Sequence, residues 1–301
     1  MQPTLLILAA GMGSRYGSLK QVDRFGPSGE TIVEYSIYDA LRAGFGKVVM
    51  VVRKEFVDDF REIILKNAMD KADIRFVYQE LGMLPEGFSL PANRKKPWGT
   101  GHAVLMAEPE INEPFAVINA DDFYGSGSYQ VIHDFLAKPQ SGSLDEYCIV
   151  DYQLDKTLSE SGSVSRGVCR VDDNRYLTYI AEHKKIMRDG DVIVADVDGV
   201  PVCLTGNEPV SMNLIGFLPS MFTHLKTQFR SFLTRNADNP DSEFYIPFAM
   251  NEAIKAGLAR VKALHTNERW FGVTYRNDRD MVMNSLRSLV EKGIYPKNLW
   301  I

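Results

Sequence analysis

Apolar residues follow two rhythms along the chain. In the first half, the short, mostly apolar runs Leu5–Ala9, Val48–Val52, Ile74–Tyr78 and Phe115–Asn119 predict strands of a sheet covered on both faces. Between them lie Ile32–Ala43, Glu55–Asn67, Thr100–Ala107 and Tyr129–Lys138, where apolar positions recur every three to four residues and predict amphipathic helices. Strand and helix in strict alternation predict an α/β three-layer sandwich with a mainly parallel central sheet. Ligands of such sheets gather at the carboxyl ends of the strands. The first of those ends runs straight into Gly11, Gly13 and Gly17.

The second half is patterned differently. Tyr147–Leu154, Val168–Val171, Tyr176–Ala181, Val192–Val197 and Val200–Leu204 predict strands, with Asp198-Gly199 as a hairpin turn. Helices return over Ser220–Arg235, Tyr245–Ala256 and Asp278–Lys292. There is no internal repeat and no low-complexity tract. One domain over 1–301 is expected, with a β-rich second half from about 141. The connection Leu81–Gly99, rich in Pro and Gly and carrying Arg94-Lys95-Lys96, reads as a lid or as a solvated insertion.

Composition narrows the function classes. At 45% hydrophobic residues and 301 positions the chain can bury a full core. A net charge of -5 gives no general pull toward nucleic acid or an anionic membrane. No apolar run approaches the roughly 18 residues of a membrane span. Cys148, Cys169 and Cys203 are odd in number and lack CxxC spacing, so buried thiols in a reducing, cytoplasmic compartment are expected.

Glycines directly after a buried strand let backbone N–H groups face an anion. The spacing G-x-G-x-x-x-G is one residue too long for the dinucleotide fingerprint, and Arg53-Lys54 stand after the second strand where its ribose acid belongs. No Gly-Lys-Ser/Thr occurs, so the Walker pattern fails too. Arg15 and Lys20 put fixed positive charge around the glycines, where phosphates would lie.

The stretch LAAGMGSRYGSLKQ resembles the signature loop of the sugar-1-phosphate nucleotidyltransferases, the pyrophosphorylases that make nucleoside-diphosphate sugars. The resemblance implies a Rossmann-like nucleotide half and triphosphate binding by Ala10, Gly11, Gly13, Arg15 and Lys20. Gln79 falls where the family contacts the base, and Gly99-Thr100-Gly101-His102-Ala103 is similar to its Gly-Thr-x-x-Ala segment. Asn119-Ala120-Asp121-Asp122 resembles Gly-Asp-Asn, whose aspartate binds Mg²⁺; this makes Asp121 the metal ligand. In the second half, LTYIAEHKK is similar to a strand ending in Glu-Lys-Pro, which assigns Glu182 and Lys184 to the acceptor. If that strand alternates, only one of Lys184 and Lys185 faces the cleft; counting from Glu182 favours Lys184. SMNLIGF resembles Asn-x-Gly with one extra residue, pointing to Asn213. WFGVTYRND places Gly272 where the family carries a second metal aspartate, and Asp278 is the candidate replacement.

The implied reaction joins a nucleoside triphosphate to a sugar 1-phosphate. An alcohol phosphate or phosphocholine as acceptor, or a non-catalytic nucleotide sensor, are the alternatives. Gln79 offers a donor and an acceptor together, which suits a uracil or thymine edge. Asp121-Asp122 has a plain structural reading as well, the N-cap of the following helix. His102, His133, His224 and His265 lack metal-ligand spacing. The base, the acceptor and the oligomeric state stay open.

Overall fold

The computed structural model describes residues 1–11, 24–64, 67–140, 142–197, 199–236, 239–272 and 278–301. Gly13, Arg15, Lys20 and Asp198 lie outside them.

Four parallel strands build the first half: β1 (Thr4–Leu8), β2 (Lys47–Val52), β3 (Ile74–Tyr78) and β4 (Phe115–Asn119). They stand in the order β4-β1-β2-β3, all paired in parallel. Alternate residues of β1 enter opposite cores: Leu5 and Ile7 pack with α1 (Ile32–Ala43), while Leu6 packs with α3 (Thr100–Met106). A strand sandwiched this way must be apolar throughout, and an unbroken run is the mark of that. α1 starts with a capping box, Thr31 and Glu34 satisfying each other's backbone N–H, and ends at Gly44.

The sheet continues without a break into the second half. β6 (Asp145–Gln153), β7 (Val164–Val171) and β11 (Pro209–Phe217) join it antiparallel through β11, which pairs with β4, β6 and β7. β8 (Leu177–Asp189), β9 (Val192–Val197) and β10 (Val200–Leu204) run on from β7 as an antiparallel wing. β12 (Ala259–His265) adds a parallel neighbour to β6. A separate two-stranded ladder pairs β5 (Asp122–Phe123) with β13 (Phe271–Gly272). Helices α4 (Ser126–Leu136), α5 (Ser220–Asn236), α6 (Ile246–Lys255) and α7 (Asp278–Glu291) complete the layers. Among the described residues no helix is long and apolar enough to cross a membrane.

Several expectations need correction. The segment expected as one helix over 55–67 winds unevenly: a 3₁₀ turn at Lys54–Phe56, a short α2 (Val57–Asp59), then a π turn at Phe60–Ile64, with no side-chain cap at Arg53 or Phe56. α4 begins at Ser126, three residues before the predicted start, and its N-cap is Gly125. β8 runs to Asp189, eight residues beyond the expected end, because its outer part is solvated and carries no apolar stripe. β11 begins upstream of the segment singled out, and β12 is an addition to the expected strands.

Candidate active site

Parallel register brings the candidate residues to one edge. Leu8 stands opposite Asn119 and Val52 opposite Tyr78, so β1, β3 and β4 all release their next residues on the same side. The Ala120 amide donates to Leu8 O at 3.2 Å, tying the aspartate turn to the strand that leads into Gly11. Ala10 is buried and Gly11 is exposed where the glycine loop begins.

Gln79 is fixed by its neighbours. Its Nε2 donates to Gly99 O at 3.0 Å and lies 3.2 Å from His102 Nδ1. A carbonyl oxygen accepts only, so the amide nitrogen must face Gly99. His102 Nε2 in turn lies 2.8 Å from Met83 O. Burial pushes the His102 pKa down to about 4, so the ring is neutral, donating through Nε2 and accepting at Nδ1. Both amide hydrogens of Gln79 are thereby engaged. Its carbonyl oxygen is what remains for a ligand, an acceptor rather than the donor–acceptor pair expected. A recess of about 190 Å³ beside it is lined by Arg53, Glu80, Leu81, Lys95, Pro97 and Trp98.

Gly99 permits a close approach no other residue would. With φ at +99°, a Cβ there would stand 2.6 Å from Phe244 O. Phe244 donates to Trp98 O at 2.7 Å, and the Thr100 hydroxyl accepts the Ile246 amide at 3.1 Å. The 81–99 connection is clipped to the same region. The Arg94 guanidinium, 4% exposed, stacks 3.5 Å from the Trp98 ring centre and donates to Asn239 O, Pro97 O and Ser242 O. This basic run is therefore divided between a buried clip and surface positions, Lys96 pairing with Glu243 at 2.5 Å. A larger cavity, about 670 Å³, opens at the other end of α3 among Phe76, Tyr78, Met106 and Phe229. Its walls are mainly apolar, with Glu108, Lys226 and Arg230 as the charged residues among them.

The two aspartates have different surroundings. Asp121 is half-buried at the turn after β4. Asp122 is buried, accepts from Asn119 Nδ2 at 2.8 Å and lies 3.3 Å from the Tyr124 hydroxyl. Burial, then the Asp121 charge, holds its carboxyl well above the usual carboxylate range, with Arg166 pulling the other way. Neither caps α4: the acid at that helix start is Glu268, whose Oε1 accepts the Gly127 amide at 2.9 Å. Gly272 pairs with Asp122 across β13 and β5, and a Cβ on it would come within 2.7 Å of Asp122 Oδ1. Paired residues share a face, so the Asp122 carboxylate fills the space where a side chain at 272 would begin. Asp278, the candidate second ligand, is buried at the start of α7 and accepts from Ser159 Oγ at 3.2 Å. Among the described residues no group of three or more His, Cys, Asp or Glu is placed to hold a metal ion.

The candidate acceptor residues are spread over β8 and β11. The extra residue of SMNLIGF is absorbed by a bulge in β11 between Ser211 and Ile215, where Asn213 adopts φ of +63°. The Tyr124 hydroxyl donates to Met212 O at 2.9 Å, linking that bulge to the aspartate turn. In β8 the expected alternation breaks: the register shifts between Lys184 and Met187, and Lys185 takes φ of +51°. Lys184 and Lys185 are both exposed, and Lys185 pairs with Asp196 at 3.1 Å. Glu182 keeps solvent contact, yet crowding by protein atoms raises its carboxyl pKa against the pull of Arg166 and Lys184.

Sequence reasoning missed Arg166. It lies in β7, 6% exposed, with its guanidinium 4.6 Å from the centre of the Trp270 ring. Burial lowers its pKa to about 10 while Asp122 and Glu182 hold it up. A signal existed: Val164, Arg166 and Val168 share one face of an alternating strand, which puts an arginine at an inward position.

No protein-family model matches the chain, and no curated protein matches it in sequence. Solved structures match in shape. An inositol-1-phosphate CTP transferase from T. maritima aligns at TM-score 0.59 and 14% identity, over 95% of this chain and 96% of the other. A Bacillus anthracis protein assigned as a glucose-1-phosphate thymidylyltransferase, in complex with a sucrose, aligns at 0.62 and 14%, over 94% and 95%. A UDP-glucose pyrophosphorylase complexed with UDP-glucose aligns at 0.58 and 18%, over 96% and 99%. The chain shares its α/β fold with these three proteins from end to end.

Proposed function

We propose that the chain is a nucleotidyltransferase that moves the nucleotidyl group of a nucleoside triphosphate onto a sugar 1-phosphate or a similar polyol phosphate, releasing pyrophosphate. The observation that carries this reading is the convergence of the Gly11 loop start, Gln79 with Gly99, and Asp121-Asp122 at one carboxyl edge of the sheet. The fold shared with three proteins named for nucleotidyl transfer or pyrophosphorolysis supports it.

The residue types suit the chemistry. The attacking group is a phosphate oxygen, ionised near neutral pH because its second pKa is about 6, so no general base is required. Arg15 and Lys20 hold the triphosphate, Gln79 faces the base, and Glu182, Lys184 and Asn213 line the acceptor side. Asp121, with Asp122 behind it, offers the hard oxygen donors that Mg²⁺ takes together with substrate phosphates. Bound there, the ion would neutralise charge on the departing pyrophosphate. A matrix of nucleoside triphosphates against sugar and polyol phosphates, read by pyrophosphate release with and without a chelator, tests the reading. One pair turning over only with Mg²⁺ is expected; silence across the matrix, with no triphosphate bound, overturns it.

A further inference from the structure

Arg166 is a buried charge without a countercharge in contact. Its hydrogen bonds go to the Thr157 hydroxyl at 3.2 Å, to Ser165 O at 2.8 Å and to Thr157 O, all neutral oxygens. Among the described residues no carboxylate stands within ion-pair distance of it. A guanidinium carries five N–H donors, so two of them are uncommitted. Burying an ion without a partner is costly, and an anion from outside would offset that cost here.

The position says which anion. Trp270 lies under the guanidinium, and the edge of its ring comes within 3.0 Å of the point where a Cβ on Gly272 would stand. Asp122 Oδ1 lies 2.7 Å from that same point. On the other side, the β7–β8 ladder sets Gly167 opposite Glu182. Arg166 therefore lies between the aspartate turn and the acceptor wall. Trp270 Nε1 is buried too and has no hydrogen-bond partner among the described residues, a second open donor in the same wall. We propose that Arg166, backed by Trp270, receives the phosphomonoester of the acceptor. The assignment rests on the nucleotidyl-transfer reading. A planar fork holds two phosphate oxygens and leaves the third to form the bond to the α-phosphorus as the bond to the β-phosphate oxygen breaks and pyrophosphate departs.

The test is calorimetric titration of wild type, Arg166→Lys and Arg166→Met with inorganic phosphate, in Mg²⁺ and saturating methylene-bridged triphosphate analogue. Analogue affinity should agree within about twofold across the three proteins, because the triphosphate is held elsewhere. Phosphate affinity should fall at least tenfold in Arg166→Met and by less in Arg166→Lys, which keeps the charge and loses the fork. Equal phosphate affinity in all three, or no phosphate binding to the nucleotide-loaded wild type, overturns the proposal. If no analogue binds, the nucleotidyl-transfer reading falls, and phosphate titration of the free proteins decides Arg166 by itself. Melting curves accompany each variant; should Arg166→Met fail to fold, the comparison of Arg166→Lys with wild type decides.

Discussion

The first and second halves of the chain treat their polar side chains in opposite ways. In the first, Gln79 and Asp122 are each held by named partners on two sides before any ligand arrives. In the second, Lys184 is solvated, Lys185 is turned toward Asp196, and Arg166 is buried with donors to spare. A preset site selects by geometry, and a site with open donors is completed by its ligand. The difference matches the chemistry proposed: a triphosphate is common to many acceptors, whereas the acceptor varies.

Lys20 and Asp121 are the sharpest places to break the first half. On the proposed reaction, Lys20→Ala removes a charge from the triphosphate site, and loss of one transition-state contact commonly costs about 3–4 kcal/mol; kcat should drop by two to three orders of magnitude with the melting temperature unchanged. Asp121→Asn should do as much and shift the Mg²⁺ requirement upward. Asp122→Asn should be milder, because the amide oxygen still accepts from Asn119. Steady-state kinetics with a Mg²⁺ titration decide this, and Asp122→Asn as the more damaging variant would exchange the two roles.

Gly99→Ala attacks the same half through its backbone. The new Cβ meets Phe244 O and must be accommodated at φ of +99°. A strained backbone and a clash together cost on the order of 2–4 kcal/mol. Thermal melting should fall by several degrees, with Gln79 losing its anchor at Gly99 O, so nucleotide affinity falls as well. Unchanged melting would mean that 98–101 and 244–246 are not stitched as described.

How much of this is legible in the sequence follows the same divide. Strands β1, β2 and β4 are buried on both faces, so they write themselves as near-continuous apolar runs, and the run Phe115–Asn119 matches β4 to the residue; β3, at the sheet edge, carries exposed Arg75 and is only partly buried. β8 sends its outer half into solvent, where no apolar alternation is required, so its length leaves no mark in the pattern. The glycine, glutamine and aspartate motifs are local in sequence and can be read there. Glu268 at the start of α4, Gly272 against Asp122, and Arg166 over Trp270 are contacts between residues about 100 or more positions apart. No spacing rule reaches that far.

A smaller effect distinguishes stability from function in the nucleotide half. Asp39 on α1 is 2% exposed, accepts from Tyr295 OH at 2.6 Å, and has Oδ1 without a partner. Burial pushes its pKa up to about 7, Tyr295 and Arg42 opposing and Glu268 assisting. The sign follows from linkage: between the unfolded value of about 3.9 and the folded value, the folded chain holds the proton and the unfolded chain does not. Stability from this group is therefore present at low pH and lost as pH rises through that window. Asp39→Asn removes the loss, so it should melt higher than wild type at pH 8 and nearly equally at pH 4. Kinetic constants should not move. A variant that melts lower at pH 8 would mean that contacts favour the ionised carboxylate in the fold by more than its burial disfavours it.

The smallest effects belong to the basic turn of β8. Lys185 sits in the left-handed region at a bulge, 74% exposed, with Asp196 as its partner. Exposed ion pairs of this kind contribute about 0–1 kcal/mol, and the side chain is already directed along the β8–β9 wing. Lys185→Ala should leave kcat, both KM values and melting unchanged. Lys184 precedes the bulge and shares its surroundings with Glu182, so its charge reaches the acceptor side through solvent. Lys184→Ala should raise KM for the acceptor severalfold with little change in KM for the triphosphate. Charges separated by water are screened over roughly 8–10 Å at ordinary ionic strength, so that rise should shrink as salt is added. The loss in Arg166→Lys should shrink less, because Arg166 is only 6% exposed. If both substitutions raise KM with the same salt dependence, Arg166 acts through the general field of the cleft and not through contact; if Lys184→Ala is salt-insensitive, the lysine, although exposed here, closes onto the phosphate when the acceptor binds.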